Sequence, residues 1–211
     1  MRVQQAEWAR FFPPGHFYSP LPSREEVATA FARGGFGPPF PGVDLNETGQ
    51  VARLERFARF YAEQPYPEKE VKGRRFFLDN PSYGHFDAIM LWSMLREAQP
   101  KRIIEVGSGF SSAAMLDARD HGGIGAPEFT FIDPDMARLR PLLRAGDERR
   151  VTLIENIVQD VPLETFAALG ENDVLFIDSS HVSKIGSDVN RLFFEVLPTL
   201  APGVIIHIHD V

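Results

Sequence analysis

Between residues 102 and 208 the chain repeats one alternation five times, and that alternation leaves few folds open. The runs Arg102–Val106, Phe129–Ile132, Val151–Ile154, Val174–Ile177 and Val204–Ile208 are short, rich in β-branched residues and almost continuously apolar. A strand with one wet face alternates polar and apolar side chains; a strand covered on both faces does not. Between the runs, helical spacing is read near Ser112–Arg119, Met136–Ala145, Leu163–Leu169 and Ser187–Leu200. In the last of these Val189, Leu192, Phe193, Val196 and Leu197 recur at the positions of one helix face, which should pack on a sheet. Strand–helix alternation of this kind implies parallel strands joined by right-handed crossovers, an α/β doubly wound sheet.

The first 82 residues read differently. They hold more than half of the prolines and phenylalanines of the chain. Phe11-Phe12-Pro13-Pro14-Gly15 and Phe36-Gly37-Pro38-Pro39-Phe40-Pro41 exclude regular helix and central strand, because proline lacks an N–H and fixes φ. So many aromatics do not suit a flexible linker, and the expectation is an ordered, irregular wrap that buries its Phe side chains. Two helices interrupt it. Ser23-Arg24-Glu25-Glu26 is a capping box opening a helix that runs to Arg33. Asp44-Leu45-Asn46-Glu47 opens a second, with Val51, Leu54, Phe57, Ala58 and Tyr61 on its apolar face. A further apolar helix, His85–Glu97, leads into the regular part. The expected division is an N-terminal extension, 1–82, serving as a lid or a surface for homo-oligomer formation, and a core domain, 83–211.

Composition removes several function classes. The formal net charge is −7 with no basic face evident, which argues against nucleic acid as a partner. No apolar run reaches the ~18 residues of a membrane-spanning helix, and Met1–Phe12 has no secretory core. The absence of cysteine excludes disulfides, thiol catalysis and Cys-ligated zinc. The chain reads as a cytoplasmic protein acting on a small molecule, with no membrane partner.

The chemistry concentrates at strand ends. Glu105-Val106-Gly107-Ser108-Gly109-Phe110-Ser111-Ser112 is a strand, a Gly-x-Gly turn and a helix start. Glycines let a ligand approach bare backbone, and the helix start offers free N–H groups. Glu105 stands where a dinucleotide fold carries a small apolar residue, and Ser111 replaces the third glycine of that fingerprint. A carboxylate there repels a pyrophosphate and suits a cationic ligand. Asp133 closes the second strand, 24 residues past Gly109, where an acid can accept hydrogen bonds from both ribose hydroxyls.

With these motifs in place, the sequence resembles the class I S-adenosylmethionine-dependent methyltransferases. Glu105–Gly109 is similar to their first motif, Phe131-Ile132-Asp133-Pro134 to their second and Asp173–Asp178 to their fourth. Leu200-Ala201-Pro202-Gly203-Val204 is similar to the turn entering strand five. The resemblance covers residues 83–211 and, in its finer detail (Asp178-Ser179-Ser180-His181 and His209-Asp210), points to bacterial small-molecule O-methyltransferases. It implies a Rossmann-like sheet in the order 3-2-1-4-5, S-adenosylmethionine as cofactor, and a small polar acceptor methylated on oxygen. Cofactor contacts would come from Glu105, Gly107, Ser108, Gly109, Ser111, Asp133, Ile157, Val158 and Asp178. Glu105 would face the methionine ammonium, the Ser111 hydroxyl and nearby N–H groups its carboxylate, and Ile157 with Val158 the adenine.

Related enzymes hold a divalent metal at the ends of strands four and five, which implies Asp178, His209 and Asp210 as ligands here, with the histidine favouring a transition metal over Mg²⁺. His181, three residues past Asp178, is the candidate base, and Asp178 its catalytic partner. Tyr83 and His85 are placed near the pocket, while His207 is read as structural. Two alternatives stay open: a non-catalytic partner protein on the same fold, and a nucleotide-dependent oxidoreductase, which Glu105 and Ser111 oppose. Class I folds add strands six and seven after strand five; these are missing between His209-Asp210 and Val211, so the expectation is a chain truncated after strand five.

Overall fold

The computed structural model of the protein describes residues 12–19, 21–34 and 40–210. The chain divides into two compact units, Met1–Thr48 and Gly49–Val211. The first contains helix α1 (Arg24–Ala32), started by the capping box read from the sequence: Ser23 Oγ accepts from Glu26 N, and the Glu26 carboxylate accepts from Ser23 N. The Phe-burying wrap is not found among its described residues. Phe17 is 82% exposed and Phe31 76%. Phe12, His16, Phe17 and Tyr18 instead pack ring against ring at the surface. Phe11 and Phe36–Pro39 lie outside the described residues.

Helix α2 (Glu47–Tyr61) leads into the second unit, with its buried side differing from the stripe read from the sequence. Phe57 and Phe60 are buried, whereas Val51, Leu54 and Tyr61 are exposed. Helix α3 (His85–Ala98) decides this: Trp92 Nε1 donates to Phe60 O at 2.9 Å, and the Arg96 guanidinium lies over the Phe60 ring. Tyr66, Phe76, Leu78 and Tyr83 enter the same core, so the compositional boundary at residue 82 falls inside a unit that packing begins at Gly49.

The sheet contains β1 (Arg102–Val106), β2 (Glu128–Ile132), β3 (Val151–Ile154), β4 (Val174–Ile177) and β5 (Ile205–Ile208), all parallel, in the order β3-β2-β1-β4-β5. This is the α/β order the resemblance implied. One face packs on α3 and α4 (Phe110–His121), through Ile103, Phe129, Phe131, Val174 and Phe176. The other packs on α5 (Leu163–Ala167) and on Leu192 and Val196, which follow the short helix α6 (Asp188–Arg191), through Ile104, Val106, Ile132, Leu175 and Ile177. Successive residues of β1 thus serve opposite layers.

Two helices depart from the sequence reading, both at proline. Met136–Ala145 is a turn followed by a single 3₁₀ turn, Arg140–Leu142, because Pro141 sits inside it and has no N–H to donate. Helix α6 continues as a π turn, Leu192–Val196, and a 3₁₀ turn, Leu197–Thr199. Pro198 cannot bond back to Phe194, and the widened turn buries Leu192 and Val196 while Phe193 stays 43% exposed. Among the described residues no helix is long and apolar enough to cross a membrane.

Candidate active site

Strand register builds the site. Val106 pairs with Ile132 and Ile177, Ile132 with Ile154, and Ile177 with Ile208. The strands therefore finish level, and the next residue of each forms one row along the carboxyl edge: Glu155, Asp133, Gly107, Asp178, His209. The hydrogen-bond ladder runs into this row. Gly107 N donates to Ile132 O, Asp178 N to Val106 O and His209 N to Ile177 O, at 2.8–2.9 Å. Open α/β sheets place ligands beyond this edge, at the point where strand order reverses. Here that point is Gly107, with Asp133 on one side and Asp178 on the other.

The two glycines of the turn serve different ends. Gly107 has φ +87°, and a Cβ there would overlap the Asp178 carbonyl oxygen, so only glycine lets the turn pass the end of β4. Gly109 is extended, and a Cβ would meet only the flexible Arg138 side chain, its Cδ at 2.8 Å.

Glu105 does not reach the cavity. It points to the α4 layer, is completely buried, and has both oxygens occupied: Ser111 Oγ donates to Oε1 at 2.5 Å and Ser112 Oγ to Oε2. Burial raises its pKa to about 8, against the pull of the two hydroxyls, with Asp178 and Asp133 adding repulsion. The carboxyl that the resemblance assigned to a ligand ammonium is a strut under the turn. Ser111 spends its hydroxyl on Glu105 while still lining the cavity.

Asp133 accepts from Ser108 N and from Asp135 N, both at 2.8 Å. It lies between two adjoining cavities of about 380 and 410 Å³, which also share Gly107, Asp178 and Ser179. Ser108, Gly109, Ser111, His181, His209 and Asp210 line the first; Ile157 and Val158 line the second, beside Asn156. Of the expected cofactor residues only Glu105 is outside both.

The other end of the first cavity is acidic and histidine-rich. His181 Nε2 lies 3.2 Å from Asp178 Oδ1, and His209 Nδ1 lies 3.3 Å from the same oxygen. Asp178, His181 and Asp210 bring one donor atom each within 4.8 Å of one another. His181 thus stands with the two expected aspartates, while His209, 9% exposed, lies against Asp178 in the same cavity. His209 is past the end of β5, Asp210 follows with φ 56°, and the His209 Nδ1 lies 4.0 Å from Asp210 Oδ2. Its ring packs 5.0 Å from that of Tyr83. Tyr83 lines the cavity; His85 pairs with Glu68 at 3.0 Å instead. His207 stacks on Phe176, and burial drops its pKa to about 4, so it is neutral. Arg138 and Ser82 also line the first cavity. The sequence held no signal for Arg138, since a helix over 136–145 gives it no reason to face the turn.

A family model described as a methyltransferase domain matches residues 104–211. An uncharacterized protein of Archaeoglobus fulgidus is 32% identical over 173 residues, covering 79% of this chain and 77% of its own. Among solved structures, one of CmcI with Mg and SAM is 28% identical, covering 59% of this chain and 50% of its own, with a TM-score of 0.40. The SAH-bound Podospora anserina methyltransferase PaMTH1 is 19% identical over 90% of this chain and 72% of its own, TM-score 0.43. The chain spans 50% and 59% of the length of the first two matching structures, both of CmcI. By its matched domain and its sheet order, the chain belongs to the methyltransferase-domain family, on the class I S-adenosylmethionine-dependent fold.

Proposed function

We propose that this chain binds S-adenosylmethionine across the two adjoining cavities and catalyses transfer of its methyl group to an oxygen of a small polar acceptor. The observation that carries the reading is the level row Asp133–Gly107–Asp178: two carboxylates flanking a stretch of bare backbone. The residues present fit that cosubstrate. Each Asp133 oxygen already accepts one amide and keeps a lone pair for a ribose hydroxyl. Ile157 and Val158 offer an apolar wall to a base beside the polar Asn156. A diphosphate would meet carboxylates at both flanks. When bound, S-adenosylmethionine supplies a methyl group on a positively charged sulfur.

The chain's own part is alignment and proton handling. Fixing nucleophile and methyl in line supplies several kcal/mol of the rate, on the order of what intramolecular reactions gain. His181 sits at the mouth with φ 59° and turns Nε2 toward Asp178. An Nε2–H donated to that carboxylate leaves Nδ1 free to accept the acceptor's hydroxyl proton. Asp178, Asp210 and His181 could instead hold a divalent cation, which lowers the pKa of a bound hydroxyl. An assay with and without EDTA separates the two arrangements: unchanged turnover in EDTA assigns the proton to His181 alone.

Calorimetric titration with S-adenosylmethionine tests the reading, and absence of binding by the intact chain overturns it. Asp133→Ala should weaken that binding by ~10-fold or more, the worth of hydrogen bonds to a charged group.

A further inference from the structure

Taking the S-adenosylmethionine reading as given, we infer that Arg138 recognises the carboxylate of the cosubstrate's amino-acid end. Three observations meet at one end of the first cavity. The stem of Arg138 lies on Gly109, whose missing Cβ makes the space for it: an added Cβ would stand 2.8 Å from Arg138 Cδ. Among the described residues Arg138 lines this cavity with neither a hydrogen bond nor an ion pair, whereas Arg140, two residues on, is held by Glu148 and Glu155.

Helix α4, 12 residues long, starts at the same place; Gly109 has no side chain to cap it and gives its own amide to Ser112 Oγ, which leaves the next amides, from Phe110 to Ser112, as donors. Ser108, 6% exposed, lines the same wall, and its buried hydroxyl has no partner. A guanidinium, free amides and an orphan hydroxyl together describe an anion site, and the planar guanidinium fork suits a carboxylate.

Charge fixes which anion. Besides Arg138, the cavity is lined by three carboxylates, Asp133, Asp178 and Asp210, of which Asp133 is held by the Ser108 amide. A cavity with one free guanidinium among several carboxylates repels a dianion and matches a zwitterion, with its ammonium toward the aspartates and its carboxylate toward Arg138. The amino-acid end of S-adenosylmethionine is such a group. Because Glu105 is sealed beneath the turn, it does not compete for that ammonium.

The test compares S-adenosylmethionine with its decarboxylated form, which keeps the nucleoside, sulfur and amine, by calorimetry on the intact chain. The unaltered protein should prefer the carboxylate-bearing ligand by ~10- to 100-fold, the range of a charge-assisted hydrogen bond. Arg138→Gln should abolish the preference while leaving affinity for the decarboxylated ligand within about twofold, and Arg138→Lys should restore part of it. A glutamine variant that keeps the full preference overturns the role of Arg138 and leaves the cosubstrate reading standing. Failure of the unaltered protein to bind either ligand overturns both. Among the described residues Arg138 has no partner to lose, and equal melting temperatures check that the variants are folded.

Discussion

Glu105 is a carboxyl group sealed in the interior with two serine hydroxyls for company. Its pKa of about 8 makes it a stability device with a defined sign. In the unfolded chain a glutamate releases its proton near pH ~4.3. Between that value and about 8 the folded state therefore holds a proton that the unfolded state has lost. Stability from this group is full below the lower value, drains away as pH rises through the window, and levels off above the upper one. Glu105→Gln, which keeps the shape and never ionises, should flatten that slope. Urea midpoints at several pH values across the window check it: the variant should gain on the unaltered protein by on the order of a few kcal/mol at the alkaline end. Parallel profiles would mean the carboxylate stays charged, held by Ser111 and Ser112. The residue type was legible in sequence, and its direction was not. Strand alternation sends residue 105 to the α4 side, but only the position of Ser111 and Ser112 on the first turn of α4 shows that the carboxyl is fully occupied there.

Among the elements, the segment carrying Arg75 is tied to the sheet layer by charge as well as by Phe76. Arg75 reaches Asp117 and Asp120 of α4 and Asp147 ahead of β3, at 2.7–2.8 Å, and its N–H and that of Phe76 both bond to Asp117. The Arg75 side chain is 2% exposed and that of Asp117 1%. Removing the cation strands buried carboxylates, a change that costs about 3–5 kcal/mol. Arg75→Met should lower stability by that order, read as a fall in urea midpoint at neutral pH. The pH dependence gives a second readout. Burial favours the protonated form of Asp120, but hydrogen bonds from Arg119 and Arg75 outweigh it and hold the pKa at about 2; Asp147 is lowered in the same way. Depressed carboxylates stabilise above the unfolded pKa of ~3.9 and lose that contribution as pH falls through the folded value. The variant should therefore show a shallower loss of stability between neutral and acid pH. Nothing in the sequence announced this cluster, since its members are 42 and 72 residues apart. The central strands were legible because burial on both faces leaves an unbroken apolar run, and the edge strands β3 and β5 carry apolar runs although Thr152 and Ile206 are exposed. The helix expected at Met136–Ala145 failed on Pro141, a residue visible in the sequence but outweighed by apolar spacing.

Over the whole molecule, composition and packing disagree on where the chain divides. Proline and phenylalanine density marks residue 82, because both residue types continue through Pro65, Pro67, Phe76 and Phe77. Packing marks Thr48, because Phe57, Phe60, Tyr66 and Phe76 share one core with Leu91, Trp92 and Met115. Aromatic residues are equally dense in a segment that buries them and in one that stacks them at the surface, so density alone cannot locate the boundary. The difference has a measurable consequence. Every residue lining either cavity falls between Ser82 and Asp210, and the core beneath them is complete from Phe57 onward. A fragment of residues 44–211, which keeps Asp44 and its bond to Asn46 ahead of α2, should unfold in one cooperative transition and bind S-adenosylmethionine as the full chain does. A fragment beginning at residue 83, the compositional boundary, loses Phe57, Phe60, Tyr66 and Phe76 and leaves Trp92 and α4 uncovered. Each lost aromatic removes about 3–5 kcal/mol, against a total stability of about 5–15 kcal/mol for a typical domain. That fragment should not fold, and circular dichroism with thermal melting distinguishes the two. A folded fragment from residue 83 would place the core boundary where composition puts it, and would make residues 49–82 an addition to the sheet domain instead of part of it.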